Sequence, residues 1–206
     1  MSEKLRPLGP DTVLLVIDMQ RMFAEGTEWQ VPNVNRVIPP IVALHEAHAG
    51  VTIFTRFMTP RTPAEAPGEW SRYYERWRDM TLDLMDPAML DLMPALAACV
   101  PPGEVIDKRS YGGFDTPAFV QALRRQHASS LVLTGVETEV CVLSTAMQAM
   151  DRGWRVVVVE DAVTSSAPEG HRAALELVRT RFTHQIDIAA AKDVLAAWPA
   201  GADISS

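Results

Sequence analysis

The chain has 206 residues, of which 48% are hydrophobic and 22% charged, enough for one sizeable core and unlike a disordered chain. Its 19 basic and 26 acidic residues leave a net charge of −7, whereas nucleic-acid binders carry a basic surplus. Two cysteines, Cys99 and Cys141, are too few for a disulfide scaffold or a Cys-rich metal site. The first ten residues hold charges and two prolines but no apolar leader core. The longest apolar runs are strand-length, short of the roughly 20 residues of a membrane span. The expectation is a cytoplasmic, reduced setting with no membrane partner.

Short β-branched runs alternate with helical stretches along the chain. Val13–Ile17 reads as a buried strand ended by Asp18, and 34–49 as a helix stopped by Gly50, with Pro39 and Pro40 disturbing its first turns. Val51–Thr55 reads as the second strand and Val105–Ile106 as the third. Leu131–Leu133 is the fourth, ended by Thr134-Gly135, and a helix over 138–152 is stopped by Gly153. Val156–Val159 is the fifth strand, followed by a helix over 168–181, a sixth strand within 183–188 and a last helix over 190–198. This rhythm predicts βαβ units, and right-handed crossovers make them a three-layer αβα sandwich. The whole chain, 1–206, reads as a single domain. Residues 59–103 break the rhythm and read as an insertion or lid region, with an aromatic, cationic helix at Trp70–Trp77. Gly201–Ser206 reads as a frayed tail.

In such sheets ligands bind outside the carboxyl ends of the strands. Asp18, Arg56, Asp107, Lys108, Arg109, Glu137, Thr138, Glu139, Cys141 and Asp161 all follow strands in this reading. Cys141 falls in the first turn of a helix, with Thr138 as its N-cap. The unpaired N–H groups and dipole there favour a thiolate and could hold an oxyanion. The alternative is a small buried core thiol. Asp18 is either a reactive carboxylate or a turn cap, and Lys108-Arg109 either functional or a solvated pair. Asp161 reads as the cap of the turn after the fifth strand. Cys99, in an alanine-rich stretch, reads as structural. The five histidines are scattered, and no H-E-x-x-H, P-loop or G-x-G-x-x-G is present, so no metal, nucleotide or other cofactor is expected.

Three motifs occur in order: Val16-Ile17-Asp18-Met19-Gln20-x-x-Phe23, Asp107-Lys108-x-x-Tyr111-x-x-Phe114-x-Thr116, and Thr134-Gly135-Val136-Glu137-Thr138-x-Val140-Cys141-Val142. Together they make the chain, over about residues 10–198, resemble the isochorismatase-like cysteine hydrolases, which include nicotinamidases, N-carbamoylsarcosine amidases and ureido-compound amidohydrolases. The resemblance implies a six-stranded parallel sheet of order 3-2-1-4-5-6. It implies an Asp18–Lys108–Cys141 triad and a cis peptide between Val136 and Glu137 that aims the Glu137 and Cys141 N–H groups at one oxyanion. It further implies cleavage of a C–N bond in a small amide, carbamoyl or ureido compound through a thioester, in a homo-oligomer (dimer or tetramer).

Two departures bear on substrate. Nicotinamidase-like relatives carry an Asp-x-His metal site after strand two, where this chain reads Thr55-Arg56-Phe57. Gly112-Gly113 replace a Ser-Ala pair common in relatives, which affects pocket size or loop freedom. The branch that cleaves the vinyl ether of isochorismate lacks the nucleophilic cysteine, so Cys141 favours amide chemistry over that alternative. A non-catalytic ligand-binding member of the fold is a further alternative. Phe23, Tyr111 and Phe114 are expected as pocket walls, and Trp70 and Trp77, with Tyr73 and Tyr74, as a lid or as packing. Arg56, Arg72 and Arg109 are candidates to clamp a substrate carboxylate or simply surface residues.

Overall fold

A computed structural model describes residues 5–199. The expected tail at Gly201–Ser206 lies outside the described residues. Six strands, β1 (Thr12–Ile17), β2 (Thr52–Phe57), β3 (Glu104–Lys108), β4 (Ser130–Gly135), β5 (Arg155–Val163) and β6 (Ile186–Ala189), form one sheet. Its order is β3-β2-β1-β4-β5-β6 and every pairing is parallel, as expected. The reversal of strand order falls between β1 and β4, whose tips carry Asp18 and the Cys141 segment.

β1 is buried along its whole length, because helices cover both faces of the sheet. Its side chains alternate between two cores. Leu14 and Val16 pack with Ile41 and Leu44 of α1 (Ile38–Ala47) and Val194 of α7 (Ala191–Ala197). Val13, Leu15 and Ile17 pack with Phe119 of α4 (Pro117–Arg125), Ala146 of α5 (Leu143–Asp151) and Leu175 of α6 (Pro168–Arg181). Each such buried aliphatic contributes about 1.5–3 kcal/mol relative to exposure.

The sequence reading misplaced several boundaries. The 34–49 stretch divides into a 3₁₀ turn (Val34–Val37) and α1, whose prolines sit in the first turn, where a missing N–H leaves no bond unmade. Gly50 lies in a separate 3₁₀ turn, Ala49–Val51, rather than at the helix stop. β2, β3 and β5 extend past their expected ends, so Arg56, Asp107, Lys108 and Asp161 lie within strands rather than after them. Charged residues pass for strand ends by composition, but here they pair across the sheet. Arg56 is the register partner of Asp107 and grips both of its carboxylate oxygens at 2.7 and 3.0 Å. Asp161 caps α7, accepting from the Ala191 N–H at 2.8 Å, and not the turn after β5.

Residues 59–103 contain no strand and build a wall of short helices, including α2 (Glu69–Arg76) and α3 (Pro94–Ala97). Gln20 ties this segment to the sheet. Its buried side chain donates to the Phe57 and Leu90 carbonyls and accepts from the Phe57 N–H at 2.7 Å.

Candidate active site

The residue after β1 turns sharply. Asp18 adopts a left-handed φ of 52°, tolerable for a short polar side chain, and its N–H crosses to the Thr55 carbonyl of β2. Next to it, β4 approaches so closely that a Cβ on Gly135 would stand 2.1 Å from the Ile17 carbonyl oxygen. Gly135 also has a φ of 105°, so only glycine fits there. This close approach brings the chain leading to Cys141 alongside Asp18.

Asp18 is wholly buried, and each of its oxygens has a donor. Lys108 Nζ donates to Oδ2 at 2.7 Å, and Thr55 Oγ1 donates to Oδ1 at 2.7 Å. Lys108 is equally buried; it faces inward from β3 while its neighbour Asp107 faces out. Its other two protons go to the Ser110 and Tyr111 carbonyls, both at 3.0 Å. All three ammonium protons are therefore committed. Burial alone would lower the Lys108 pKa, but the facing Asp18, together with Cys141, holds it above the ordinary lysine value.

Cys141 is buried beside both Asp18 and Lys108, on the side that lines a cavity. It belongs to a π-helical turn, Thr138–Val142, that leads into α5, rather than to the first turn of a regular α-helix. Thr138 is not the N-cap. That position is Glu137, and Thr138 Oγ1 bonds His171 Nδ1 of α6 at 2.8 Å instead. The Val136–Glu137 peptide is cis. The surroundings of Cys141 run against the expectation of a favoured thiolate. Burial pushes the Cys141 thiol up, Lys108 only partly offsets this, and the Asp18 charge raises it further. The net direction at Cys141 is upward.

A cavity of about 130 Å³ opens onto Cys141. Six aromatic side chains wall it: Phe23, Trp29, Phe57, Tyr73, Trp77 and Tyr111. Glu28, Glu137, Val140 and Ser166 complete it. Of the expected walls, Phe23, Tyr111 and Trp77 are in place. Trp70 stands one layer behind, edge-on to Tyr111 with centroids 4.8 Å apart. Phe114 does not reach the cavity; it packs against Phe119 and Trp154 in the α4–α6 core. Its place in a matched motif reflects packing. Tyr74 is buried behind Trp70 and Tyr73.

Gly112 and Gly113 answer to packing rather than to pocket size. A Cβ on Gly112 would meet Gln148 at 2.1 Å, and one on Gly113 the Phe119 ring at 2.9 Å. None of the three candidate clamps lines the cavity. Arg56 is taken by Asp107, Arg72 is exposed beside Glu69, and Arg109 is exposed. Cys99 is partly buried, its Sγ 3.8 Å from the Ala95 carbonyl, far from any charged pair of this kind. Among the described residues, no three His, Cys, Asp or Glu side chains gather as a metal-sized cluster.

Sequence reasoning missed Thr55, which holds Asp18, and the walls Trp29, Phe57 and Val140. Thr55 was visible only as the residue standing where relatives place a metal ligand. Trp29 gave no signal, because its segment has no periodicity. A larger groove of about 610 Å³ lies by β6 and α7, lined by Glu160, His184, Asp187 and Asp193 but by neither cysteine. Size alone therefore does not mark the site.

A doubly wound parallel sheet with Asp18, Lys108 and Cys141 brought together at its switch point matches what the resemblance to the isochorismatase-like hydrolases implies. Residues 12–190 match the isochorismatase domain, and the chain belongs to that hydrolase family. It is 28% identical to the ureidoacrylate amidohydrolase RutB of Methylobacterium radiotolerans, over 94% of this chain and 84% of that protein. It is 27% identical to nicotinamidase 3 of Arabidopsis thaliana, over 90% of this chain and 89% of that one. Among solved structures, a cysteine hydrolase from Pseudomonas syringae pv. phaseolicola superposes with a TM-score of 0.80 at 22% identity. That match covers 96% of this chain and 98% of the other. Among the described residues, no helix is long and apolar enough to cross a membrane.

Proposed function

We propose that this family member hydrolyses a C–N bond in a small amide, carbamoyl or ureido compound through a thioester on Cys141. One observation carries the reading: the Cys141 thiol lies between an aromatic cavity and Asp18, whose two oxygens are fixed by Lys108 and Thr55. The names of the ureidoacrylate- and nicotinamide-cleaving relatives point the same way.

In this mechanism Asp18 takes the first proton, a role supported by the upward shift that burial and Asp18 impose on the Cys141 thiol. As Cys141 Sγ attacks the carbonyl carbon, its proton passes to the carboxylate, so a free thiolate need not accumulate. Lys108 and Thr55 hold the Asp18 carboxyl in position, so that it can take the thiol proton, become neutral for that step and hand the proton on. The tetrahedral oxyanion is held by the Glu137 and Cys141 N–H groups, and losing one such donor commonly costs 10²–10³ in rate, roughly. Asp18 returns the proton to the departing nitrogen, and ammonia or an amine leaves. Water then adds to the thioester, giving its proton to Asp18, and the acid is released with Cys141 restored as a thiol.

In this reading the domain is single, and 59–103 is the insertion that walls the pocket. A homo-oligomer and a cytoplasmic setting complete the proposal. An ammonia-release screen over carbamoyl, ureido and simple amides tests it, with mass spectrometry of acid-quenched enzyme to find an acyl adduct on Cys141. Turnover that proceeds with no adduct and survives loss of the thiol defeats the covalent mechanism.

A further inference from the structure

We propose that the Cys141 pocket selects amides carrying a positively charged group and turns away those carrying a carboxylate. The amide part of this statement rests on the function proposed above; the charge preference rests on the pocket alone.

The first ground is what lines the cavity. Its walls include two carboxylates, Glu28 and Glu137, and no lysine, arginine or histidine. Of the cations around it, Lys108 and Arg76 are already engaged, and Arg109 is exposed and outside the lining, though its charge reaches Tyr74. Lys108 spends its three protons on Asp18, Ser110 and Tyr111. Arg76 lies over the Trp77 ring at 4.4 Å and reaches Glu28 at 3.8 Å. A substrate carboxylate entering here would lose hydration with no cationic partner, which is strongly unfavourable.

The second ground is how Glu137 is held. Its Oε1 accepts from the Ser166 N–H at 2.9 Å and from the hydroxyls of Ser165 and Ser166. No donor among the described residues is bonded to Oε2. The carboxylate is thus fixed in place with one oxygen open to a ligand. Glu137 lines the same cavity as Tyr111, and its charge helps to raise the Tyr111 hydroxyl pKa.

The third ground is that ring itself. Trp29 is its hub, with centroid distances of 6.2 Å to Phe23, 6.0 Å to Phe57 and Tyr73, and 6.3 Å to Trp77. Aromatic faces attract cations, and tryptophan does so best. Two carboxylates at the edge of an aromatic cage suit an ammonium, a quaternary ammonium or a guanidinium.

The test measures Cys141 modification in the full-length protein by three methanethiosulfonates: 2-(trimethylammonio)ethyl, ethyl and 2-sulfonatoethyl. Rates at about pH 8.5, the ordinary thiol range, are followed at Cys141 by peptide mass spectrometry and divided by those toward a free small thiol. The expected order is trimethylammonium, ethyl, sulfonate, with the ends separated by on the order of tenfold or more, about what one unscreened neighbouring charge gives. Glu28→Gln with Glu137→Gln should shrink that ratio several-fold, since both keep the backbone and shape. Rates not led by the cationic reagent, or a ratio unchanged in the double variant, overturn the proposal. In a second arm, amides of matched length bearing trimethylammonium, methyl or carboxylate are compared by kcat/KM. The cationic amide should lead, and a leading carboxylate overturns the proposal. If none of the three releases ammonia, the amide reading fails instead, and the modification rates still decide the charge preference.

Discussion

The strand tips and the 59–103 segment meet at one cavity but are built on different principles. Asp18, Thr55 and Lys108 sit on or just beyond three adjacent parallel strands, held by sheet bonds and by each other. Tyr73 and Trp77 come from a segment without a strand, held to the sheet by ties such as Gln20 and by aromatic contacts. The buried ion pair needs a rigid frame, because charges removed from water tolerate little misplacement. The aromatic wall needs only shape, and apolar contact is forgiving about direction. In the proposed function the chemistry belongs to the first region, and selectivity is shared between the second and the loops that carry Glu28 and Glu137.

The largest effect expected from this division is at Cys141. Cys141→Ser should lower amide turnover by about 10⁴-fold or more in an ammonia-release assay, the scale seen when a nucleophile is removed. Appreciable turnover would move the chemistry away from the strand tips. Asp18→Asn comes next, with a kcat loss of about 10²–10⁴. It also strands the buried Lys108 charge, so urea denaturation should show a loss of about 3–5 kcal/mol. A variant that loses activity but keeps full stability would break the link between the pair and the frame.

A smaller effect sharpens the account of the thiol. The Cys141 pKa is raised, so the folded protein holds that proton above the ordinary thiol range. Alkylation by iodoacetamide should therefore be slow near pH 7 and climb about tenfold per pH unit through pH 9. A plateau near neutrality would restore the thiolate picture. The smallest change expected is at the wall. Trp77→Ala should raise KM about three- to tenfold, the worth of one aromatic contact, and leave kcat nearly unchanged. A dominant kcat effect would mean that the segment does more than shape the pocket.

The same division decides what could be read in advance. The alternation of strands and helices, and the order of the sheet, were legible from β-branched runs and motif spacing. That Asp18, Lys108 and Cys141 meet was implied by the three motifs, whereas position alone left each with a structural alternative. Strand ends were read short where Arg56, Asp107 and Glu160 broke the apolar runs, although strands accept charges that pair, Arg56 with Asp107 across the sheet and Glu160 with Arg179 of α6. Phe114 was assigned to the wrong side of the sheet, since a motif gives spacing but not which face a ring takes. Trp29 and Phe57 meet Tyr73 only through tertiary folding, so no local pattern announced them.

Lys108 joins the strand tips to the cavity wall in a way that bears on redesign. The ammonium that grips Asp18 also grips the carbonyl of Tyr111, whose ring is part of the wall. The wall is therefore not fully modular. An engineer could exchange 70–77 for another helix and leave the reacting groups where they are. A change in the path of residues 110–111 would instead be transmitted through a single nitrogen to the proton acceptor, so new selectivity and old rate would have to be optimised together.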